Sequence, residues 1–148
     1  MKAVIQRVEN AHVSINNTIK SKINSGYVIL LGLHKEDTSQ DSDWIIKKLL
    51  NLRLFNDESK KPNLNIEETK GEILVISQFT LISDCKKGTR PSYSNALNPQ
   101  EAKLLYTQFI STLQTKYPKI KTGEFQAHMK VSLTNDGPIT IILDSKNK

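Results

Sequence analysis

The segment Tyr27-Val28-Ile29-Leu30-Leu31-Gly32-Leu33 is apolar throughout. Side chains alternate between the two faces of a strand, so a strand with no polar face must be covered on both sides. A second such run, Ile73-Leu74-Val75-Ile76, follows the Lys70-Gly71 turn. Two fully covered strands require a sheet with other material packed above and below it, and the rest of the chain has to supply that cover.

The remaining pattern reads as shorter strands and two helices. Residues 1–8 alternate, with Ala3 and Ile5 on one face and Val4, Gln6 and Val8 on the other. Arg7 falls on the Ala3 face and reads as an exposed strand charge. Residues 11–15 and 18–23 flank Asn16-Asn17, a pair that tolerates positive φ and marks a tight hairpin. Residues 41–52 carry Ile45, Ile46, Leu49 and Leu50 at helical spacing, with Ser39, Asp41 or Ser42 as candidate N-caps. Residues 52–55 start a short strand, and 56–65, with Pro62 inside, form a polar loop. Asn98-Pro99 opens the second helix, Asn98 as N-cap and Pro99 as the first helical residue. Leu104, Leu105, Phe109 and Leu113 are its apolar stripe, and Pro118 ends it. Residues 125–133 read as a strand, Asn135-Asp136-Gly137-Pro138 as a turn, and 139–143 as a last strand. The expected fold is α+β: antiparallel-rich β-sheets in a barrel-like arrangement with two main outer helices, residues 1–148 forming a single domain. Periodicity does not separate a closed barrel from an open sheet.

Composition narrows the function classes. Of 148 residues, 37% are hydrophobic and 24% charged, which suits a packed core rather than a disordered chain. The formal net charge of +6 favours an anionic partner, nucleic acid foremost. The single cysteine, Cys85, excludes an internal disulfide and points to a reduced, cytoplasmic setting. One Cys and three scattered His offer no zinc-ligand spacing, so no metal is expected. No apolar run has the length of a signal peptide or a membrane span.

Chemistry concentrates where the second apolar run ends, at Ser77-Gln78-Phe79-Thr80-Leu81. Read as a continuing strand, this puts Ser77 and Phe79 on one face and Gln78 and Thr80 on the other. A hydroxyl nucleophile needs a base held by a third group. The histidines are His12, His34 and His128; none sits in a serine-hydrolase motif, and G-x-S-x-G is absent. His128 reads as a surface histidine. Cys85, beside Lys86 and Lys87, reads as an incidental loop thiol, with a Cys85-dependent hydrolase as the competing possibility. Lys86, Lys87 and Arg90 beside Tyr93 suit phosphate contacts and, equally, a solvated charge run. In Gly137-Pro138 the glycine permits positive φ or close backbone approach. On two residues alone, trans is the default for the bond.

Several segments together resemble the D-aminoacyl-tRNA deacylase family. They are Ile5-Gln6-Arg7-Val8, Ser77-Gln78-Phe79-Thr80-Leu81, Gly88-x-Arg90-Pro91-Ser92, Phe125-x-Ala127-x-Met129, and Asn135-Asp136-Gly137-Pro138-Ile139-Thr140. Ser77 separates the chain from the related animal branch, which has Pro-Gln in place of Ser-Gln. The resemblance implies a homodimer, with active sites at the subunit interface, that hydrolyses the ester between tRNA and a D-amino acid or mischarged glycine. It implies no metal or organic cofactor and no membrane. Ser77, Gln78, Phe79 and Thr80 would form the catalytic pocket floor, with Phe125 and Met129 beside it. Gly137-Pro138 would be cis, enter the partner's site and select chirality, with Arg7 bracing it. Lys86, Lys87 and Arg90 would contact tRNA. A non-catalytic tRNA-binding module is the alternative from another class. An aminoacyl ester is already activated, so positioning and oxyanion stabilisation suffice without a triad.

Overall fold

A computed structural model describes residues 1–147. Its organising strand is β1 (Lys2–Ile15), followed by β2 (Thr18–Ile23) and β3 (Gly26–Gly32). The first half of β1 runs antiparallel to β3, from Lys2↔Gly32 to Val8↔Gly26, and the second half pairs with β2, from Ala11↔Ile23 to Ile15↔Thr18. Asn16 and Asn17, at φ of 50° and 61°, make the expected hairpin turn between them. The chain continues through α1 (Ser39–Asn51), a small β4–β5 ribbon (Phe55–Asn56 and Pro62–Leu64), β6 (Glu72–Ser77), α2 (Pro99–Lys116), β7 (Ile120–Thr122) and β8 (Lys130–Asp144).

β3 and β6 are parallel, as are β6 and β7. The sheet order β2-β1-β3-β6-β7 then bends back on itself. Ser21 Oγ donates to the Thr122 carbonyl at 2.7 Å, and Lys121 Nζ to the Lys22 carbonyl at 2.6 Å. These contacts bring β7 back to β2 and nearly close a barrel. β8 lies on the opposite edge of β1, paired from Lys2↔Asp144 to Ser14↔Lys130.

The apolar runs are explained by two distinct cores. Tyr27, Ile29, Leu31, Ile73 and Val75 face the helices, packed with Ile45, Ile46 and Leu49 of α1 and Phe109 and Leu113 of α2. Val28, Leu74 and Ile76 face the barrel interior with Val8, Val13 and Ile23. Each such side chain, fully buried, contributes about 1.5–3 kcal/mol, which is why the stretches Val28–Leu31 and Ile73–Ile76 are apolar on both faces. Three tyrosines cross this core with their hydroxyls paired to backbone. Tyr106 donates to the Val75 carbonyl at 3.2 Å, Tyr117 to that of Gly71 at 2.5 Å, and Tyr27 to that of Leu52 at 3.4 Å. Burial pushes all three phenols up from their ordinary values.

Several local expectations change. Residues 1–8 and 11–15 are one continuous strand. The α1 cap is Thr38, not Ser39, Asp41 or Ser42. Asp41 instead completes a capping box, its carboxylate accepting from the Thr38 amide at 2.9 Å. Burial alone would raise the Asp41 carboxyl. Hydrogen bonds from Ser145 and Thr38 and the Lys146 charge outweigh it, holding the group well below the usual carboxylate range. The polar 56–65 segment contains β5, folded against β4. Asn98 caps α2 as expected, its Oδ1 accepting from the Glu101 amide at 3.1 Å. The buried stripe of α2 is Ala102, Tyr106, Phe109 and Leu113, while Leu104 is exposed because it turns away from the sheet. β8 begins at Lys130, not 125. Before it the chain turns at Gln126 (φ 65°), and Met129 folds back over Gly123, where a Cβ would lie 2.5 Å from its sulfur.

Candidate active site

β6 ends at Ser77, paired with Leu31, and the Gln78 amide makes one last bond to the Leu31 carbonyl at 2.7 Å. Residues Phe79–Ile82 then form a 3₁₀ turn, so the strand alternation expected beyond Ser77 does not hold. Gly32 makes the turn possible. A Cβ there would meet Leu81 Cβ at 2.9 Å and the Gln78 carbonyl at 3.0 Å. The turn packs directly against the end of β3 because that strand offers no side chain at this point.

The turn forms one wall of a cavity of about 720 Å³. Ser77, Gln78 and Phe79 line it from the end of β6 and the start of the turn, Phe125 and Met129 from the segment before β8, and Asn98, Pro99 and Ala102 from the start of α2. Phe125 is seated by Tyr106, their ring centroids 5.6 Å apart. Thr80 stands just behind this lining, tied to it by a short hydrogen bond from Gln78 Nε2 to Thr80 Oγ1. The 3₁₀ turn has no side-chain cap. Its first amides, those of Phe79 and Thr80, have no acceptor within the turn. Sequence reasoning missed the wall formed by Tyr93, Asn98, Gln126 and the exposed side chain of His128. The Asn98-Pro99 cap was a usable signal for where α2 starts, though not for what it faces.

The second sequence motif lies elsewhere in the chain. Val8 pairs with Asn135 and Gln6 with Thr140, so Arg7 alone stands opposite four residues, 136–139. The motif is therefore an excursion from a strand that keeps its direction, not a turn between two strands. The Asn135 side-chain amide closes its base, donating to the carbonyls of Arg7 at 2.9 Å and Ile139 at 3.0 Å. Gly137-Pro138 is cis, Gly137 has φ of 113°, and both residues are exposed. A Cβ on Gly137 would meet Ile139 Cγ1 at 2.9 Å and Arg7 Nη2 at 3.2 Å.

Arg7 is not the exposed strand charge its alternation suggested. It is only 6% exposed. Its Nη1 donates to the Leu54 carbonyl at 2.5 Å, and its Nε lies 2.7 Å from the Asp136 carboxylate in an ion pair without hydrogen-bond geometry. These partners repay the burial of the guanidinium.

Neither Gly137 nor Pro138 lines the cavity of its own chain. Lys87 and Arg90 lie exposed on the 84–91 loop, while Lys86 borders a separate cavity of about 280 Å³. Cys85 is exposed, and among the described residues no three His, Cys, Asp or Glu side chains converge as metal ligands.

The nearly closed barrel and the two outer helices define a fold class shared with solved structures. A structure described as a probable eukaryotic D-amino acid tRNA deacylase superposes with a TM-score of 0.85 at 14% identity, over 96% of this chain and 97% of its own. A structure of c-Myc DNA Unwinding Element Binding Protein reaches 0.93 at 40% identity, over 97% and 98%. The chain belongs to the D-Tyr-tRNA(Tyr) deacylase family, whose profile matches residues 4–144. The D-aminoacyl-tRNA deacylase of Finegoldia magna is 52% identical, covering the whole of both chains. That of Thermosipho melanesiensis is 50% identical over 147 residues, 99% of this chain and 98% of its own. The protein is accordingly an enzyme of a hydrolase family.

Proposed function

We propose that the chain, as one catalytic domain working in the cytoplasm, hydrolyses the ester of D-aminoacyl-tRNA and of glycine mischarged on tRNA. The products are free tRNA and the free amino acid. The observation that carries this reading is the cavity at the exit of β6, which gathers Ser77, Gln78, Phe79, Phe125 and Met129 in a chain about half identical to proteins named for that activity.

The chemistry required is modest. Water adds to the ester carbonyl, the C–O bond to the terminal ribose breaks, and the ribose oxygen leaves with a proton. The Phe79 and Thr80 amides would receive the developing oxyanion, and Gln78 with Thr80 would orient water or substrate. Preorganised placement replaces a strong nucleophile.

The Gly137-Pro138 excursion supplies chirality by entering the cavity of a second copy. Its exposure, its absence from its own chain's cavity and its bracing by Arg7 and Asn135 support this role. A rigid backbone occupies the space that an L side chain needs at Cα. Glycine has no side chain to exclude, so a filter of this kind admits it. Lys86, Lys87 and Arg90 contact tRNA phosphates.

The test is deacylation of D-Tyr-tRNA, L-Tyr-tRNA and Gly-tRNA by purified protein in EDTA. Hydrolysis of the first and third with little of the second is expected. Efficient L-Tyr-tRNA hydrolysis overturns the chiral reading. Tight tRNA binding with no hydrolysis indicates a binding module, and loss of activity in Cys85→Ala indicates a thiol enzyme.

A further inference from the structure

Two aromatic rings are left open beside the cavity. Phe79 is 57% exposed and Tyr93 is 40% exposed, although both border the cavity. Their ring centroids are 4.9 Å apart at 63°, an edge-to-face pair. The other large exposed hydrophobics among the described residues, Ile19, Leu104 and Ile142, are aliphatic and sit on separate elements, β2, α2 and β8. Single exposed apolar side chains are ordinary, but an aromatic pair at the mouth of a cavity is not.

Both rings are held in place. Phe79 opens the 3₁₀ turn that Gly32 admits. Tyr93 follows Ser92, which exchanges backbone hydrogen bonds with Asp84 at 2.8 and 2.9 Å, and its own carbonyl accepts from Ala96 at 2.9 Å. The segment is then pinned to β3's end by the Leu97 amide donating to the Leu33 carbonyl at 3.0 Å. The 84–91 loop between the two rings carries Lys86, Lys87 and Arg90, with no acidic side chain after Asp84. A preorganised aromatic surface beside exposed cationic side chains is how proteins hold single-stranded nucleic acid: the rings stack a base and the cations meet the phosphates.

Resting on the deacylase reading above, we propose that the Phe79–Tyr93 pair is a stacking platform for the nucleobase preceding the terminal adenosine. The cavity interior takes the aminoacyl group and the terminal nucleoside. The strand leaving the cavity then crosses the two open rings on its way to the cationic loop. Tyr93 is thus a substrate-binding residue that acts on affinity and not on the reacting ester.

The experiment compares three substrates: the D-tyrosyl ester of adenosine, the D-tyrosyl ester of cytidylyl-adenosine, and D-Tyr-tRNA. For Tyr93→Ala, a roughly tenfold rise in KM is expected on the second and third, with kcat within about twofold. On the adenosine ester the rise shrinks below about twofold, because there is no base to stack. Tyr93→Phe and Tyr93→Trp retain the wild-type KM on all three. An equal KM rise on the adenosine ester overturns the proposal, since Tyr93 would then only shape the cavity. No rise on any substrate overturns it too, as does a change of oligomeric state in Tyr93→Ala, which would make the pair a subunit contact. If the wild-type protein hydrolyses none of the esters, the deacylase reading fails separately. The platform is then read by titration with unesterified cytidylyl-adenosine and adenosine, where Tyr93→Ala must weaken only the dinucleotide.

Discussion

Two strands in this molecule stop following their ladders, and they do so in opposite senses. β6 gives up after Ser77 and folds inward, its 3₁₀ turn settling against the empty face of Gly32 to wall a cavity. β8 leaves its ladder between Asn135 and Thr140 and folds outward, exposing Gly137 and Pro138 before rejoining the same register direction. The first departure makes a receptacle. The second makes a projection, braced from beneath by Arg7 and across its base by Asn135. A receptacle tolerates side-chain variation as long as its volume is kept. A braced projection depends on backbone position, so small changes in it should cost more.

The largest effect is therefore expected at Gly137. Gly137→Ala places a Cβ against Ile139 and Arg7 in a backbone with φ of 113°. Misplacing the projection by about 1 Å should cut kcat/KM on D-Tyr-tRNA by roughly 100-fold, with little change in folding. A variant within a few fold of wild type would show that the projection has no part in the reaction. Arg7→Ala comes next. It leaves the Leu54 carbonyl without its donor and Asp136 without its cation, and should destabilise the fold by about 2 kcal/mol in urea unfolding. A neutral result would mean that Asn135 alone holds the projection. In the receptacle, Thr80→Ala removes the acceptor of the Gln78 side-chain Nε2 and should lower kcat roughly tenfold without abolishing turnover. Mass spectrometry of wild type quenched during turnover should show no acyl group on Thr80; finding one would make it the nucleophile. The smallest effect belongs to the loop between the open rings. Replacing Lys86, Lys87 and Arg90 with alanine should flatten the dependence of log Kd on log salt by roughly one unit per lost phosphate contact. An unchanged slope would put the tRNA backbone elsewhere.

What the sequence disclosed and what it hid divide along the same line. The covered strands were legible because an apolar run has no other stable home, and the α2 start because Asn98-Pro99 satisfies a helix end locally. Barrel closure was not legible, since it depends on β2 meeting β7 through Ser21 and Lys121, far apart in the chain. Arg7 was misjudged for the same reason: its burial is repaid by Leu54 and Asp136, which no local pattern connects to it. The motif Ser77-Gln78-Phe79-Thr80 drew notice as a polar break after apolar residues. Its geometry was hidden because the inward bend is set by the space above Gly32, forty-odd positions earlier. Tyr93 reads as part of a basic loop and His128 as a surface histidine on a strand until the fold sets both around one cavity.

The long β1 strand has a consequence for how such a chain can vary in length. Lys2–Val8 is hydrogen-bonded to β3 on one edge and to β8 on the other. Deleting one residue there would flip every following side chain to the opposite face. Arg7 would swing away from the projection it braces, and Ile5 out of the core it fills, in a single step. Insertions and deletions are thus barred from this strand and left to segments such as 57–61 and 84–91, which carry neither ladder. Two enzymes of this kind could differ at most positions of β1 and still work, but their copies of it should be equally long.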